Sequence, residues 1–415
     1  VHNMRKIADE VFGERCFVSQ LGWQKVYAPK NQAKYFSNDY EFILCYAKNI
    51  DLFKINELPR TKEMNLRYKN PDNDPRGDWK PGDCVGNGER KNGYYDVISP
   101  TGKVYNVPEG KHWVYAPETM QKLIKENRIW WGKDGNSFPA VKQFLSDVSG
   151  RKASNLLSFN EYGHTDMAKK DLIRLFDDLD KVPFDTPKPV KLIKMLSILG
   201  TDKNDIILDF FSGSGTTAEA IMQLNSEENS NRKFILVQIP ELIKDNKKAN
   251  ELGLYTISDV GEERIRRAGR KIKEETNADI DYGFRVYKVD SSNMKDVYYT
   301  PTELKQSQLN MFESNVKEHR TPEDLLTQVI LNLGLTLDLS IEEKRILNNN
   351  VYFVESNSLV ACFDNIIDIN IVDEICKCKP LKIVFKESSF KTDSDKINAF
   401  ERVKKLSNET EINVF

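Results

Sequence analysis

The sequence predicts an α/β fold, interrupted by a loop-rich insert and closed by an α+β tail. Three observations carry this. Asp205–Phe210 is an apolar strand that runs through Phe211-Ser212-Gly213-Ser214-Gly215 into a helix-forming segment, Thr216–Leu224. A second apolar strand, Phe234–Ile239, follows it. Between residues 51 and 180 periodicity fades, while Pro, Gly, Asn and Asp accumulate.

Composition sets the outer limits. The chain has 415 residues, 39% hydrophobic and 30% charged, a length that favours two or three domains. No apolar run reaches the roughly 18 residues of a membrane span, so no membrane partner is expected. A net charge of −2 excludes a polycation, so any nucleic-acid surface must be local. Cysteines at 16, 45, 84, 362, 376 and 378 fit reduced cytoplasmic thiols. Cys376-x-Cys378 lacks a second pair or a nearby histidine to complete a zinc set, and no metal is expected. Val1-His2-Asn3-Met4 reads as helix interior, so the natural protein is expected to continue upstream.

Four zones follow in order. Residues 1–50 hold a helix ending near Gly13 and two strands, the second a continuous apolar run, Glu41–Ala47, of the kind a buried strand shows. Residues 51–180 form the insert. Its Asn70–Trp79 stretch is a long ordered loop, and Ser99-Pro100-Thr101-Gly102 turns between strand-like Tyr94–Ile98 and Lys103–Val107. Four of the five tryptophans lie here, and Trp79 and Trp113 are expected in its core. Residues 181–280 return to α/β order: Pro189 opens a helix through Leu199, the glycine turn follows, and Gly261–Lys273 is a helix rich in Arg and Lys. Residues 281–415 alternate helix (Pro322–Leu333, Asp395–Leu406) and strand (Val351–Glu355, Leu381–Phe385).

The glycine turn carries the strongest chemical signal. Glycines take positive φ and admit a ligand where a Cβ would block it. The amides at a helix start favour a carboxylate or phosphate. A phosphate loop needs Lys after the second glycine, and Thr216 stands there. A dinucleotide fingerprint, G-x-G-x-x-G/A, is matched by Gly213-x-Gly215-x-x-Ala218 and stays open on spacing alone. The third reading is S-adenosylmethionine. Asp209 would accept from the ligand's ammonium, and the turn amides would receive its carboxylate. Asp185-Thr186-Pro187-Lys188-Pro189, just upstream, would sit beside the methionine end, and Glu241 after the second strand suits the ribose hydroxyls.

Lys188-Pro189-x-x-Leu192, followed by Asp209-Phe210-Phe211-Ser212-Gly213-Ser214-Gly215-Thr216-Thr217, resembles the adjacent cofactor motifs of permuted, β-class amino-DNA methyltransferases. The order of strand pair, insert and cofactor motifs agrees with that family. Asn70-x-Asp72-Asn73-Asp74-Pro75-Arg76-Gly77-x-Trp79, Ser99–Gly102, Gly110-x-x-Trp113, Arg128-Ile129-x-x-Gly132 and Phe36-Ser37-Asn38-x-x-Glu41 resemble type III modification subunits. So does the tail pattern Phe385–Phe390 with Asp395-Lys396-x-Asn398.

The resemblance implies a Rossmann-like, S-adenosylmethionine-dependent methyltransferase fold, permuted and N-terminally incomplete, with an inserted target-recognition domain. It implies a cofactor site of Lys188, Pro189, Asp209, Phe210, Gly213, Gly215, Thr216 and Glu241. Phe36 and Tyr46 would flank an adenine pocket. Lys69, Arg76, Lys80 and Arg128 are DNA-contact candidates in the insert, each equally readable as a solvated charge, and the helix 262–273 could lie on phosphates. Double-stranded DNA, a second copy of the subunit and an ATP-dependent restriction subunit are the implied partners. One feature departs from the family: none of the 16 prolines are adjacent, so the Asp/Asn-Pro-Pro-Tyr/Phe tetrapeptide that grips the adenine is absent. The expectation is that the tetrapeptide belongs to a segment upstream of Val1.

Overall fold

The computed structural model describes residues 1–28, 33–179, 181–244, 246–295 and 316–414. The expected insert boundary, Asp180, lies outside the described residues. The chain falls into two compact units, Val1–Phe284 and Arg285–Phe415.

In the first unit the helix His2–Phe12 stops at Gly13, whose φ of 89° ends the helical path. Strand Phe17–Gln24 pairs antiparallel with Tyr40–Tyr46 and parallel with Leu156–Leu157, where the chain returns from the insert. Tyr40–Tyr46 is therefore an edge strand. Its apolar run had suggested full burial, but Phe42 is half exposed. The insert builds three small antiparallel sheets. Trp79–Asp83 pairs with Ala140–Phe144, which also pairs with Ile129–Trp130. Val85–Asn87 pairs with Lys111–Trp113, and Val97–Ile98 pairs with Val104–Tyr105 around the expected Ser99–Gly102 turn. Trp113, Met120, Ile129, Trp131 and Val141 close one insert core, and Trp79 is buried beside Trp130.

The remainder of this unit positions the site. Helix Val190–Gly200 starts at Pro189. Strand Ile206–Asp209 pairs in parallel with Lys233–Leu236, and the helix Thr216–Glu228 connects them. The helix Ile257–Thr276 begins with a capping box between Thr256 and Asp259. These two helices bury Ala218, Met222, Ile265, Ala268 and Ile272 against Phe234 and Leu236 on one face of the strand pair. The alternate residues of the same strands point the other way. There Ile206, Leu208, Ile235 and Val237 are each at least half exposed.

The second unit is a five-stranded mixed sheet with strands in chain order: Ile341–Ile346, Asn349–Val354, Leu359–Cys362, Lys382–Phe385 and Glu411–Val414. The last three are parallel, and their crossovers carry the helices Ile371–Cys376 and Asp393–Leu406. Both helices pack on one face around Val360, Ile375, Ile383 and Val403, while Pro322–Asn332 covers the other. The Phe385–Phe390 pattern serves this packing: Ser389 is fully buried and donates to Asp364 O.

Candidate functional site

Strand Ile206–Asp209 delivers Asp209 to the head of the glycine turn. Its Oδ2 accepts from Thr217 Oγ1 at 2.6 Å and its Oδ1 from the Phe211 amide at 3.3 Å. Gly213 and Gly215 have φ of 52° and 74°, a region L side chains rarely adopt. Both also lack room. A Cβ on Gly213 would lie 2.9 Å from the Phe184 ring, and one on Gly215 would lie 3.1 Å from Gly261 O. The turn is thus pressed between the Phe184 ring and the start of the helix Ile257–Thr276.

The turn's amides do not stand as the sequence suggested. Gly213 N–H donates to Gln238 Oε1 at 2.7 Å, and Gly215 N–H donates to Ser212 O at 2.9 Å. Gln238 lies just beyond strand Lys233–Leu236 and was not singled out from the sequence, where a glutamine carries no distinctive signal. The same holds for Phe184, while Thr217 stands in the family motif with no role assigned to it. Phe210 and Phe211 are exposed side by side, with ring centroids 5.0 Å apart. Glu241 is exposed, and its carbonyl accepts from Ile257 N–H, which sets it beside the helix start.

Lys188 and Pro189 join the two halves of the unit. Lys188 Nζ donates to Glu41 Oε2 at 2.8 Å and lies 5.5 Å from the Trp23 ring centroid. Burial raises the Glu41 carboxyl pKa, but Lys188 and Lys25 outweigh it and hold the group below its ordinary range. Pro189 is buried against Gly163, and Trp23 Nε1 donates to the Gly163 carbonyl.

Several expected site residues take other roles. The Thr216 side chain is 6% exposed and accepts from Arg264, so it faces the neighbouring helix instead of a ligand. Tyr46 packs on Phe12 and Phe17, and its hydroxyl donates to Asp9 at 2.6 Å; burial and that bond push its pKa up to about 12. It closes the seam of the first helix. Phe36, by contrast, is 94% exposed. Arg76 is spent: it bonds Asp74 through Nε and Nη2 and donates to the Glu126 and Asn127 carbonyls at a helix end. Arg128 pairs with Asp147. Lys80 lies 5.5 Å from the Tyr68 ring centroid, and Lys69 is exposed. The helix 262–273 is not a row of free cations either. Arg264 is buried, Arg267 is fixed by Asp178 and Glu263, and Arg266 pairs with Glu262.

A strand-end carboxylate and a turn with two left-handed glycines, met by the Phe184 ring and by the start of a helix, are features shared by nucleotide-type cofactor sites on α/β frames. Residues 1–251 match the family described as DNA methylase, and the chain belongs to that family. It is 33% identical over 316 residues to the Mod subunit of the type III restriction-modification enzyme StyLTI of Salmonella typhimurium, covering 75% of this chain and 46% of the relative. It is 27% identical over 434 residues to the EcoP15I Mod subunit of Escherichia coli, covering 94% and 64%. The type II methyltransferase M.KpnI of Klebsiella pneumoniae is 27% identical over 286 residues, covering 63% and 65%. The chain thus spans less than two thirds of each relative's length. No helix among the described residues is long and apolar enough to cross a membrane.

Proposed function

We propose that the chain is part of a type III modification subunit: a cytoplasmic, S-adenosylmethionine-dependent methyltransferase acting on the N6 amine of adenine in double-stranded DNA. The observation that carries this is the Asp209 carboxylate at the head of a turn whose two left-handed, closely packed glycines would be strained by a Cβ, in a chain of the DNA methylase family. The residues fit the cofactor. Each Asp209 oxygen accepts one bond here, which leaves lone pairs for an ammonium. Gly213 N–H is fastened to a movable side chain, Gln238, whereas Gly215 N–H is fastened to backbone. Gly213 is therefore the amide a carboxylate can take over. Phe210 offers an exposed ring face, Glu241 an exposed carboxylate, and Lys188-Pro189 a wall held by Glu41 and Gly163.

When bound, S-adenosylmethionine supplies an electrophilic methyl group. The work left to the protein is to hold adenine out of the stack, which costs a few kcal/mol, and to align its weakly nucleophilic amine. Phe36, an exposed ring, is read as the one that packs on such a base. The insert 51–180 is read as the target-recognition domain, inserted between the catalytic half (1–50) and the cofactor half (181–280) of a permuted methyltransferase domain. Lys69 and Lys80 are read as its phosphate contacts, since Arg76 and Arg128 are already engaged. The tail 281–415 is the candidate for contacts in a homodimer or with a restriction subunit.

Calorimetric titration with S-adenosylmethionine and with a nicotinamide dinucleotide tests the cofactor. Binding of the dinucleotide alone would overturn the methyltransferase reading. One second reading has its own support: the chain binds cofactor and DNA but needs a further polypeptide segment for transfer. No two prolines are adjacent, and Ile206, Leu208, Ile235 and Val237 present an uncovered apolar sheet face. Labelled-methyl incorporation into DNA by the purified chain separates the two, because transfer without any added segment excludes the second.

A further inference from the structure

Arg264 is among the largest side chains that are almost wholly buried, at 2% exposure. Its Nε donates to Glu219 Oε2 at 2.8 Å, and its Nη1 donates to Ser214 Oγ at 2.9 Å and Thr216 Oγ1 at 2.6 Å. The two hydroxyls belong to the residues that flank Gly215, and both are buried. Burying a guanidinium costs several kcal/mol unless it is fully paired, and an apolar side chain of similar volume would fill the space at lower cost. The packing alone therefore gives no reason for an arginine here. Its planar fork does: it reaches the turn helix through Glu219 and the turn itself through two hydroxyls at once.

A second contact presses from the same helix, one turn earlier. A Cβ on Gly261 would lie 3.3 Å from Gly213 O, and one on Gly215 would lie 3.1 Å from Gly261 O. Backbone meets backbone there, so the turn cannot retreat toward the helix. The Phe184 ring closes on Gly213 from another direction. Arg264 is the polar fastener within this clamp.

We propose that Arg264 is a positioning residue of the cofactor site, fixing the Ser214-Gly215-Thr216 end of the turn and through it the place of the Gly213 amide. The proposal rests on the reading of this turn as the S-adenosylmethionine site. Glu219 neutralises the guanidinium, so the contribution is one of geometry more than of charge. A lysine would keep the charge, but its single ammonium does not span Glu219 and both hydroxyls.

The test measures S-adenosylmethionine and S-adenosylhomocysteine affinity of the full chain by calorimetry, for wild type, Arg264→Lys and the double variant Ser214→Ala/Thr216→Val. The double variant keeps the Arg264–Glu219 pair and removes only the acceptors on the turn. Each titration is run at least 10 °C below that variant's own unfolding midpoint, with near-ultraviolet circular dichroism as the check on the fold. The expected result is a loss of tenfold or more in affinity for Arg264→Lys and about fivefold or more for the double variant, equal for the two ligands because they share the amino-acid end. A purely structural role predicts lower midpoints with affinities within twofold of wild type in the folded state, and that result overturns the proposal. Failure of the wild-type chain to bind either ligand overturns the reading of the turn itself, a separate outcome.

Discussion

Lys142 offers the sharpest test of how the insert is held. Its side chain is fully buried, and its Nζ donates to Asp72 at 2.5 Å and to Asp74 at 2.9 Å. Asp74 is itself wholly buried and shared with Arg76, and Trp79 Nε1 donates to Asp72 at 2.8 Å. The cluster pins the Asn70–Trp79 loop to strand Ala140–Phe144. Lys142→Met keeps the volume and removes the cation, leaving Asp72 without a counter-ion and Asp74 with only Arg76. Breaking a buried pair from one side costs about 3–5 kcal/mol. Because Arg76 still compensates Asp74, the lower end, about 3 kcal/mol, is expected. At roughly 2–4 °C per kcal/mol for a unit of this size, the midpoint of the transition reported by tryptophan fluorescence should fall by about 6–12 °C. Trp79, 5.3 Å from Trp130 by ring centroids, lies inside the affected region. Adding Asp72→Asn should recover part of the loss. A shift below about 2 °C, or no recovery in the double variant, would refute the account of the cluster as a coupled buried network.

Three further outcomes follow. Asp72 and Asp74 are both held below the ordinary carboxylate range: Asp74 chiefly by Arg76, Asp72 by Lys142 and Trp79 against the opposing effect of burial. A depressed folded-state pKa gives stability that is present above about pH 4 and lost as pH falls through the folded values. Acid titration of the fluorescence midpoint should therefore show a steep loss below about pH 4, reduced in Lys142→Met. Gly215→Ala forces a left-handed residue costing roughly 1–2 kcal/mol and a Cβ 3.1 Å from Gly261 O; calorimetry should show S-adenosylmethionine binding weakened by at least tenfold, and an unchanged affinity would count against the turn as the site. Lys69→Ala should weaken DNA binding evenly across sequences and lower the salt slope by about 1, while Arg76→Ala should act on the folding midpoint first, since that side chain is bound within the insert.

The elements around the cofactor turn were legible because their causes are local. A continuous apolar run makes Ile206–Asp209 a strand, glycines permit the φ values of the turn, and Pro189 favours a helix start. The same local logic gave the Ser99–Gly102 turn and the buried Trp79 and Trp113. It failed for Tyr40–Tyr46, whose apolar run, Glu41–Ala47, reads as a buried strand but leaves Phe42 half exposed. An edge position and the number of covered faces are properties of the sheet, and the chain segment carries no record of them.

What the sequence by itself determined is therefore the family and the glycine turn between a strand and a helix, since each is written in contiguous residues. Only the tertiary structure decided what the charged and polar side chains do. Arg264 meets Ser214 and Thr216 from about fifty residues away, Lys142 meets Asp72 and Asp74 from about seventy, and Lys188 meets Glu41 across the whole insert. A sequence shows a cation's presence, but its role depends on whether burial strips its water and which partner replaces it. That is why the Arg76, Tyr46 and Thr216 side chains are bound within the fold, and why Gln238, unremarkable in the sequence, and Arg264, one cation of a basic helix there, hold the turn.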